Sequence, residues 1–554
     1  MNSQRKVVVI GLDGATLDLI EPWAAAGYLP HLAGLMARGT TARLQTVLPP
    51  LTGPAWTSFI TGLNPGRHGI YDFVGFRPNS YTLAPYTSAQ RHGPSLWAQL
   101  SQAGRRVGVI NVPLTYPPEA VNGFLISGLM TPPDATDYAY PPDIAALLRQ
   151  AVPDYVVQPP GIYFAKGREA ALVQAARAMT EQHLQASLHL LRATSWDFFM
   201  TVFMATDVIQ HAAWHFFDAT HREHVDSPLR DAIRDCYRQV DAGIGQILAA
   251  LDEQTTVLIM SDHGFGPMED YFHLNTWLWQ QGWLRLKTTP RTRLKQLLFR
   301  LGMTPVAAYG WLNRLGQTDR VTRQVRQQRQ TVRSRLQHLF LSFEDVDWPR
   351  TRAYSLGNAG AIWLNRQGRE PDGSVAPGAP AETLLNEITQ ALQALRHPRT
   401  GQPIVDQVWR GEEVYHGRQM QRAPDLLFSP LDWRTHAYGQ VEFSARRWLE
   451  PAFDRTGGHR MEGVCILAGP EVKPGYRLSD CRIIDLCPTI LGLLGAPLSA
   501  EMDGRFLAEV FTQPFELRWR AASEEEDSAD SPDALTAAEA LALRQQLKNL
   551  GYAA

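Results

Sequence analysis

Three aspartates and three histidines stand where this chain's apolar runs give out. Asp262 and His263 follow "TVLIM" within "TVLIMSDHGFGPM"; Asp207 follows "FFMTVFMAT", with His211 four residues on; and Asp13 closes "VVVIGL". His459 sits in "TGGHRMEGVCILAGP", after two glycines and just before another apolar run. A single Asp at a strand exit is ordinarily a turn former or helix cap, and a single His ordinarily packs or faces solvent. Taken together they ask for chemistry. In an open α/β sheet ligands bind outside the carboxyl ends of the strands, so the three acids are expected to meet at one edge. Buried carboxylates at close range resist ionisation unless cations compensate them. Mixed nitrogen and oxygen donors suit zinc, with manganese the alternative. His215, one further turn along from His211, is a rival ligand. Its neighbours Trp214, Phe216 and Phe217 favour packing, and it ranks below His459.

Two divalent ions would outweigh three aspartate charges and leave a net attraction for a phosphate-type anion. A nucleophile must then lie beside them. In "VLPPLTGPAWTSFITGLNPGRHGIYDF" Thr52 and Gly53 precede Pro54, a favoured first helical residue, which places Thr52 at a helix amino terminus. Such a terminus favours anions, and a metal-bound hydroxyl there can ionise near neutral pH and attack phosphorus. The plain alternative is a threonine N-cap. Thr57 and Ser58 fall inside the helix, away from the site.

The elements that must carry these residues follow from periodicity. Residues 6–12, 106–112, 124–129, 197–205 and 256–261 are short, continuously apolar runs separated by longer helical stretches. That pattern predicts a mainly parallel sheet covered by helices on both faces. Residues 463–469 read as a further strand, and 485–497 as a short helix closed by Gly495. We find no internal repeat.

Composition sets the outer bounds. With 44% hydrophobic residues, 19% charged residues and a net charge of −2, the 554-residue chain has ample core and no global pull toward nucleic acid. Cys236, Cys465, Cys481 and Cys487 are scattered, which suits reduced, buried thiols. No run is long enough for a spanning helix or built like a signal peptide, and a cytoplasmic location is expected. Residues 285–336 hold thirteen Lys or Arg against one acid, Asp319, while the chain as a whole is slightly acidic. This stretch reads as a helical insertion or cap with a solvated or docked basic face; the alternative is a surface for anionic lipid, nucleic acid or a polyanionic substrate. The expected organisation is a discontinuous catalytic core (1–284 and 343–520), a basic insertion (285–342), and an acidic linker with a C-terminal helix (521–554) serving for docking or partner binding.

The ordered set of strand-Asp, "LTGP" with "TGLNPGRHGI", "TDVIQH", "SDHGFG" and "GGHR" resembles the type I phosphodiesterase/nucleotide pyrophosphatase family of the alkaline phosphatase superfamily. The likeness runs from Val7 to about Leu507. It implies an alkaline-phosphatase-like α/β fold, a central mainly parallel sheet sandwiched by helices, and two divalent metal ions. One ion would be held by Asp13, Asp262, His263 and the nucleophile Thr52, the other by Asp207, His211 and His459. Thr52 would attack phosphorus in line, and water would then release the phosphoryl group. The implied substrate is a small-molecule or lipid-like phosphoester, with no specific nucleic-acid binding. Two positions depart from the nucleotide-cleaving members. Phe73 stands where "HGI-x-x-Asn" carries Asn, and Gly53 where an aromatic often follows the nucleophile. A sulfatase is argued against by the lack of a Cys/Ser-x-Pro-x-Arg motif. A phosphomonoesterase or phosphotransferase of the same superfamily stays open, as does a catalytically idle, metal-bound scaffold.

Overall fold

A computed structural model describes residues 5–158, 164, 166–305, 340–520 and 535–550. Its centre is a nine-stranded sheet. Across it the strands run Tyr476–Leu478, Thr40–Gln45, Glu462–Ala468, Thr255–Met260, Lys6–Leu12, Phe198–Phe203, Val107–Val112, Gly123–Ser127 and Ala139–Tyr140. Five adjacent strands, from Thr255–Met260 to Gly123–Ser127, are mutually parallel. All five apolar runs read as strands in the first half of the sequence are these five. Their side chains are buried on both faces, which is why hydrophobicity is continuous along them instead of alternating.

The strand Glu462–Ala468 runs antiparallel to its neighbours. The cause lies just upstream. Gly457–Arg460 pairs antiparallel with Gly264–Pro267, the segment that leaves the carboxyl edge of the sheet after Asp262 and His263. The chain therefore enters the sheet from that edge and must run back across it. His459 is thereby delivered to the same edge as the three aspartates.

Two apolar layers cover the sheet. One packs Val8, Ile10 and Leu12 against the helices Glu169–Ala193, Ala205–Phe217 and Ala232–Leu248. The other packs Val7 and Val9 against Trp56, Phe59 and Ile60 of the helix Thr52–Thr61 and against the helix Leu486–Leu493. The turn after that last helix uses Gly495 at φ 67°, as its position in the sequence suggests.

Smaller sheets follow, which the sequence reading did not resolve into strands. One has four strands in the order Ala353–Ser355, Ala361–Leu364, Leu426–Pro430, Val405–Arg410. Another joins Thr435–Tyr438, Asp270–His273 and Leu449–Pro451. Of the basic stretch, Pro290–Arg300 is a helix tied to the body by a buried Lys295–Asp345 pair with Nζ to Oδ2 at 2.7 Å; residues 306–339 lie outside the described residues. The acidic linker likewise lies outside them. The C-terminal helix Ala537–Asn549 opens on a Thr536/Glu539 capping box and buries Leu543 and Leu547 against the core. No helix among the described residues is long and apolar enough to cross a membrane.

Candidate metal centre and nucleophile

Three neighbouring parallel strands end in the three aspartates. Asp13 follows Leu12, and its backbone N–H donates to Phe203 O across to the next strand. Asp207 lies in the first turn of the helix Ala205–Phe217, which begins directly after Phe198–Phe203. Asp262 comes two residues after Met260. All three carboxyls are buried.

They sort into two groups of three. In the first, His263 Nε2 lies 3.7 Å from Asp13 Oδ1 and 3.3 Å from Asp262 Oδ2. In the second, Asp207 Oδ1 lies 3.3 Å from His211 Nε2 and 3.2 Å from His459 Nε2. Within each group the potential ligand atoms all fall within 4.8 Å of one another. The groups adjoin, since the rings of His263 and His459 stack with centroids 3.6 Å apart.

The three imidazoles are held in one pattern. His211 Nδ1 faces Gly457 O at 2.7 Å, His459 Nδ1 faces Pro50 O at 2.8 Å, and His263 Nδ1 faces Gly264 O at 3.0 Å. A carbonyl can only accept, so each Nδ1 carries the proton and each Nε2 presents a lone pair to the carboxylates. His211 Nε2 and His459 Nε2 then face each other at 3.1 Å, lone pair toward lone pair. Asp13 Oδ1, Asp207 Oδ1 and Asp262 Oδ2 are buried and find no hydrogen-bond donor among the described residues. These carboxylate oxygens converge with the three ring nitrogens, and divalent cations fit that donor set.

Electrostatics agree. Burial, then the charges of Asp262 and Asp207, push the Asp13 carboxyl well above its ordinary range. Burial likewise raises Asp262 well above it, although the Gly14 N–H donates to its Oδ1. For Asp207 burial again works to raise the carboxyl, and only protons on His211 and His459 would work to lower it. Burial pushes His459 down to about 3 and lowers His211 as well, keeping both rings neutral and able to ligate.

Thr52 is buried, and its Oγ1 lies 3.4 Å from His263 Nε2. The helix starts at Thr52 itself, with Leu51 as N-cap, so Pro54 is the third helical residue and not the first. Proline is tolerated there because the first-turn N–H groups have no intrahelical acceptor. No side chain caps this helix. The threonine hydroxyl is therefore turned to the histidine, and the N-cap alternative falls. Thr57 Oγ1 donates back to Gly53 O, and Ser58 Oγ pairs with His68 Nε2. Neither reaches the two groups.

Other side chains support the site that the sequence reading did not single out. Trp56, one helical turn after Thr52, donates Nε1–H to Asp13 Oδ2 at 3.0 Å. Thr206 Oγ1 donates to Asp13 O at 2.6 Å, and Gln210 Nε2 to Gly14 O at 2.8 Å. The i+4 spacing of Trp56 from Thr52 was the available signal. Gly457 explains the paired glycines: a Cβ there would stand 2.4 Å from Gln210 O and 2.6 Å from the Phe265 ring. His215 lies outside both groups, with Nδ1 at 3.0 Å from Thr456 Oγ1 and its ring against Phe216, as its aromatic neighbours suggest.

Comparison with known proteins gives this geometry a class. Residues 7–444 match the model of the family described as "Type I phosphodiesterase / nucleotide pyrophosphatase". The chain belongs to this metal-dependent family and is a phosphodiesterase/pyrophosphatase-type hydrolase of the alkaline phosphatase superfamily. His459 lies beyond the matched residues, so its place rests on the geometry above. Among solved structures, phosphonoacetate hydrolase from Sinorhizobium meliloti 1021, in complex with phosphonoformate or with phosphonoacetate, superposes with a TM-score of 0.52 at 16% identity, covering 89% of this chain and 96% of that one. That likeness establishes the fold. Human ectonucleotide pyrophosphatase/phosphodiesterase 5 aligns with a TM-score of 0.49 at 14% identity over 92% of this chain and 100% of that one.

Proposed function

We propose that this protein is a divalent-metal-dependent hydrolase of phosphodiester or pyrophosphate-type bonds that uses Thr52 as its nucleophile. The reading is carried by one observation: six buried acceptors in two groups of three, with the Thr52 hydroxyl beside one of them. Asp13, Asp262 and His263, with Thr52, would hold one ion; Asp207, His211 and His459 would hold the other. When bound, the ions neutralise the carboxylates and phosphoryl oxygens and lower the pKa of a nearby hydroxyl or water. The donor set favours zinc, with manganese the alternative.

The chain's own part is positional. Thr52 Oγ, having given up its proton, forms the new bond to phosphorus while the opposite ester bond breaks; the departing oxygen takes up a proton and leaves as an alcohol, and the rest of the phosphate ester stays on Thr52. Water then cleaves that bond and restores the hydroxyl. The backbone carbonyls of Pro50, Gly264 and Gly457 fix the imidazoles, and Trp56 fixes Asp13, so the receptors of charge need no reorganisation during reaction.

Nucleotides are poor candidates for the substrate. A Cβ at Gly53 would sit 3.2 Å from Asp72 O and 3.3 Å from Leu114 Cδ1, so the side where an aromatic would stack on a base is filled by this chain. Phe73 is buried in the apolar core and offers no amide to a phosphate oxygen. A small or lipid-like phosphoester fits better. The test is to strip the protein of metal, restore zinc or manganese, and compare bis-p-nitrophenyl phosphate with p-nitrophenyl phosphate. Faster diester turnover supports the reading. Preference for the monoester, or transfer to an added alcohol, would move the assignment to a phosphomonoesterase or phosphotransferase.

A further inference from the structure

The helix Pro290–Arg300 buries its lysine and shows its leucines to solvent. Thr292, Lys295 and Phe299 share one face and are buried, whereas Leu294, Leu297 and Leu301 share the opposite face and are 56%, 54% and 71% exposed. Met303, just beyond, is 51% exposed. An ordinary surface helix turns such a stripe toward the core. Here polar contacts fix the opposite orientation. Lys295 Nζ and Thr292 Oγ1 donate to the buried Asp345 at 2.7 and 3.1 Å, Lys287 Nζ donates to Glu344 O at 2.7 Å, and Arg446 Nη1 to Arg300 O at 2.9 Å. Rotating the helix to hide the leucines would leave Asp345 in the interior without its cation.

Charge frames the stripe. Arg293 and Arg300 run along one side of it and Arg291 along the other, all three exposed. Their guanidiniums pair with no carboxylate among the described residues. Residues 285–304 hold six Lys or Arg and no acid. From Leu294 to Leu301 the stripe is roughly 10 Å long, enough to lie in a surface and far too short to cross one.

The occupant must satisfy leucines and free guanidiniums together. Residues 306–339 carry seven Lys or Arg against one acid and would bring like charge to the face. The acidic stretch 523–533 offers charge but no apolar side chain larger than Ala or Pro. A second copy docked by a two-fold axis would set arginines against arginines. An anionic lipid surface meets both needs, its phosphates taking the arginines and its acyl boundary the leucines. We propose that the helix Pro290–Arg300 docks this protein on the surface of a membrane rich in anionic lipid.

The test uses the full chain and two vesicle compositions, phosphatidylcholine alone and the same lipid with about one-third phosphatidylglycerol. Co-sedimentation is expected to show binding at least about tenfold tighter to the anionic vesicles, weakened by added salt. The triple change Arg291→Gln, Arg293→Gln, Arg300→Gln should lose that advantage. The triple change Leu294→Ser, Leu297→Ser, Leu301→Ser should cut anionic binding by at least about tenfold and leave the turnover of a soluble diester unaltered. A second readout places the face itself. The four native cysteines are buried, so Leu297→Cys can carry an environment-sensitive nitrobenzoxadiazole dye, with exposed Val225→Cys as the control position. Emission at 297 should rise and shift to the blue on anionic vesicles, and emission at 225 should not. Equal affinity for the two vesicle types, or anionic binding that survives the leucine changes, overturns the proposal. So does emission at 297 that is already blue without lipid, or a dimer that the leucine changes disperse, since either gives the face to another part of the chain or to a second copy.

Discussion

Thr52 Oγ1 and His263 Nε2 lie 3.4 Å apart although 211 residues separate them in the chain. The contact joins the first turn of one helix to the exit of a central strand. It puts a buried hydroxyl at the rim of a three-acceptor cluster, where its proton is most easily lost once cations are bound.

Removing that hydroxyl isolates its role. Thr52→Ala is expected to keep its bound metal and to lose at least about 100-fold in kcat, because the neighbouring hydroxyls of Thr57 and Ser58 are turned to Gly53 O and His68 and cannot replace it as nucleophile. Thr52→Ser should retain part of the rate. Kinetics with metal content measured on the same samples decides it, and unchanged turnover in the alanine variant would take Thr52 out of the mechanism.

Trp56 is expected to matter through Asp13 alone. Trp56→Phe keeps the ring's packing and deletes the 3.0 Å bond to Asp13 Oδ2. Loss of such an outer partner typically costs ~10–100-fold in metal affinity or activity. Competition with a chelator measures the affinity; an unchanged value would make the indole N–H merely satisfied and not supportive.

Asp262→Asn should weaken metal binding and rate together. In the metal-free protein the same change should stabilise the fold, since it relieves a carboxyl that is desolvated by burial and repelled by Asp207. Thermal melts with and without metal read both arms. A variant destabilised in both states would show the carboxylate serving structure instead.

Metal affinity should rise with pH. Asp13 and Asp262 are raised in the metal-free fold, so they hold protons above the ordinary carboxylate range and a cation must displace them. By linkage, the folding stability these two groups confer is full below their unfolded values and is lost as pH rises through their folded ones. The stabilisation gained on adding metal should therefore grow over the same interval. Calorimetry in buffers of different ionisation enthalpy should detect proton release on binding, and affinity independent of pH across that interval would contradict these assignments.

Much of this arrangement was legible in the sequence because the strands are buried on both faces and end in acids. Continuous apolar runs gave five parallel strands, and Asp13, Asp207 and Asp262 closed three neighbours among them. Asp207 and His211 were readable as one helical face. The antiparallel course of Glu462–Ala468 was not, because direction depends on which edge the chain enters from, and that was set by pairing with residues nearly 200 positions earlier. The start of the helix at Thr52 was misplaced by the usual preference for proline at the first position. Trp56 was hidden because a buried tryptophan reads as core until its N–H finds Asp13. Asn111, at φ 63° where the register of Val107–Val112 shifts, sat in an apolar run, and neither feature leaves a periodic trace. The smaller sheets escaped because strands of three to six residues with polar interruptions carry too little pattern.

The central claim is that distant segments build a cage for two divalent cations beside Thr52. Anomalous diffraction from crystals grown with zinc or manganese tests it directly. Two peaks are predicted, one bounded by Asp13, Asp262, His263 and Thr52, the other by Asp207, His211 and His459. An active, metal-replete enzyme whose peaks lie elsewhere, or with neither group occupied, would contradict it.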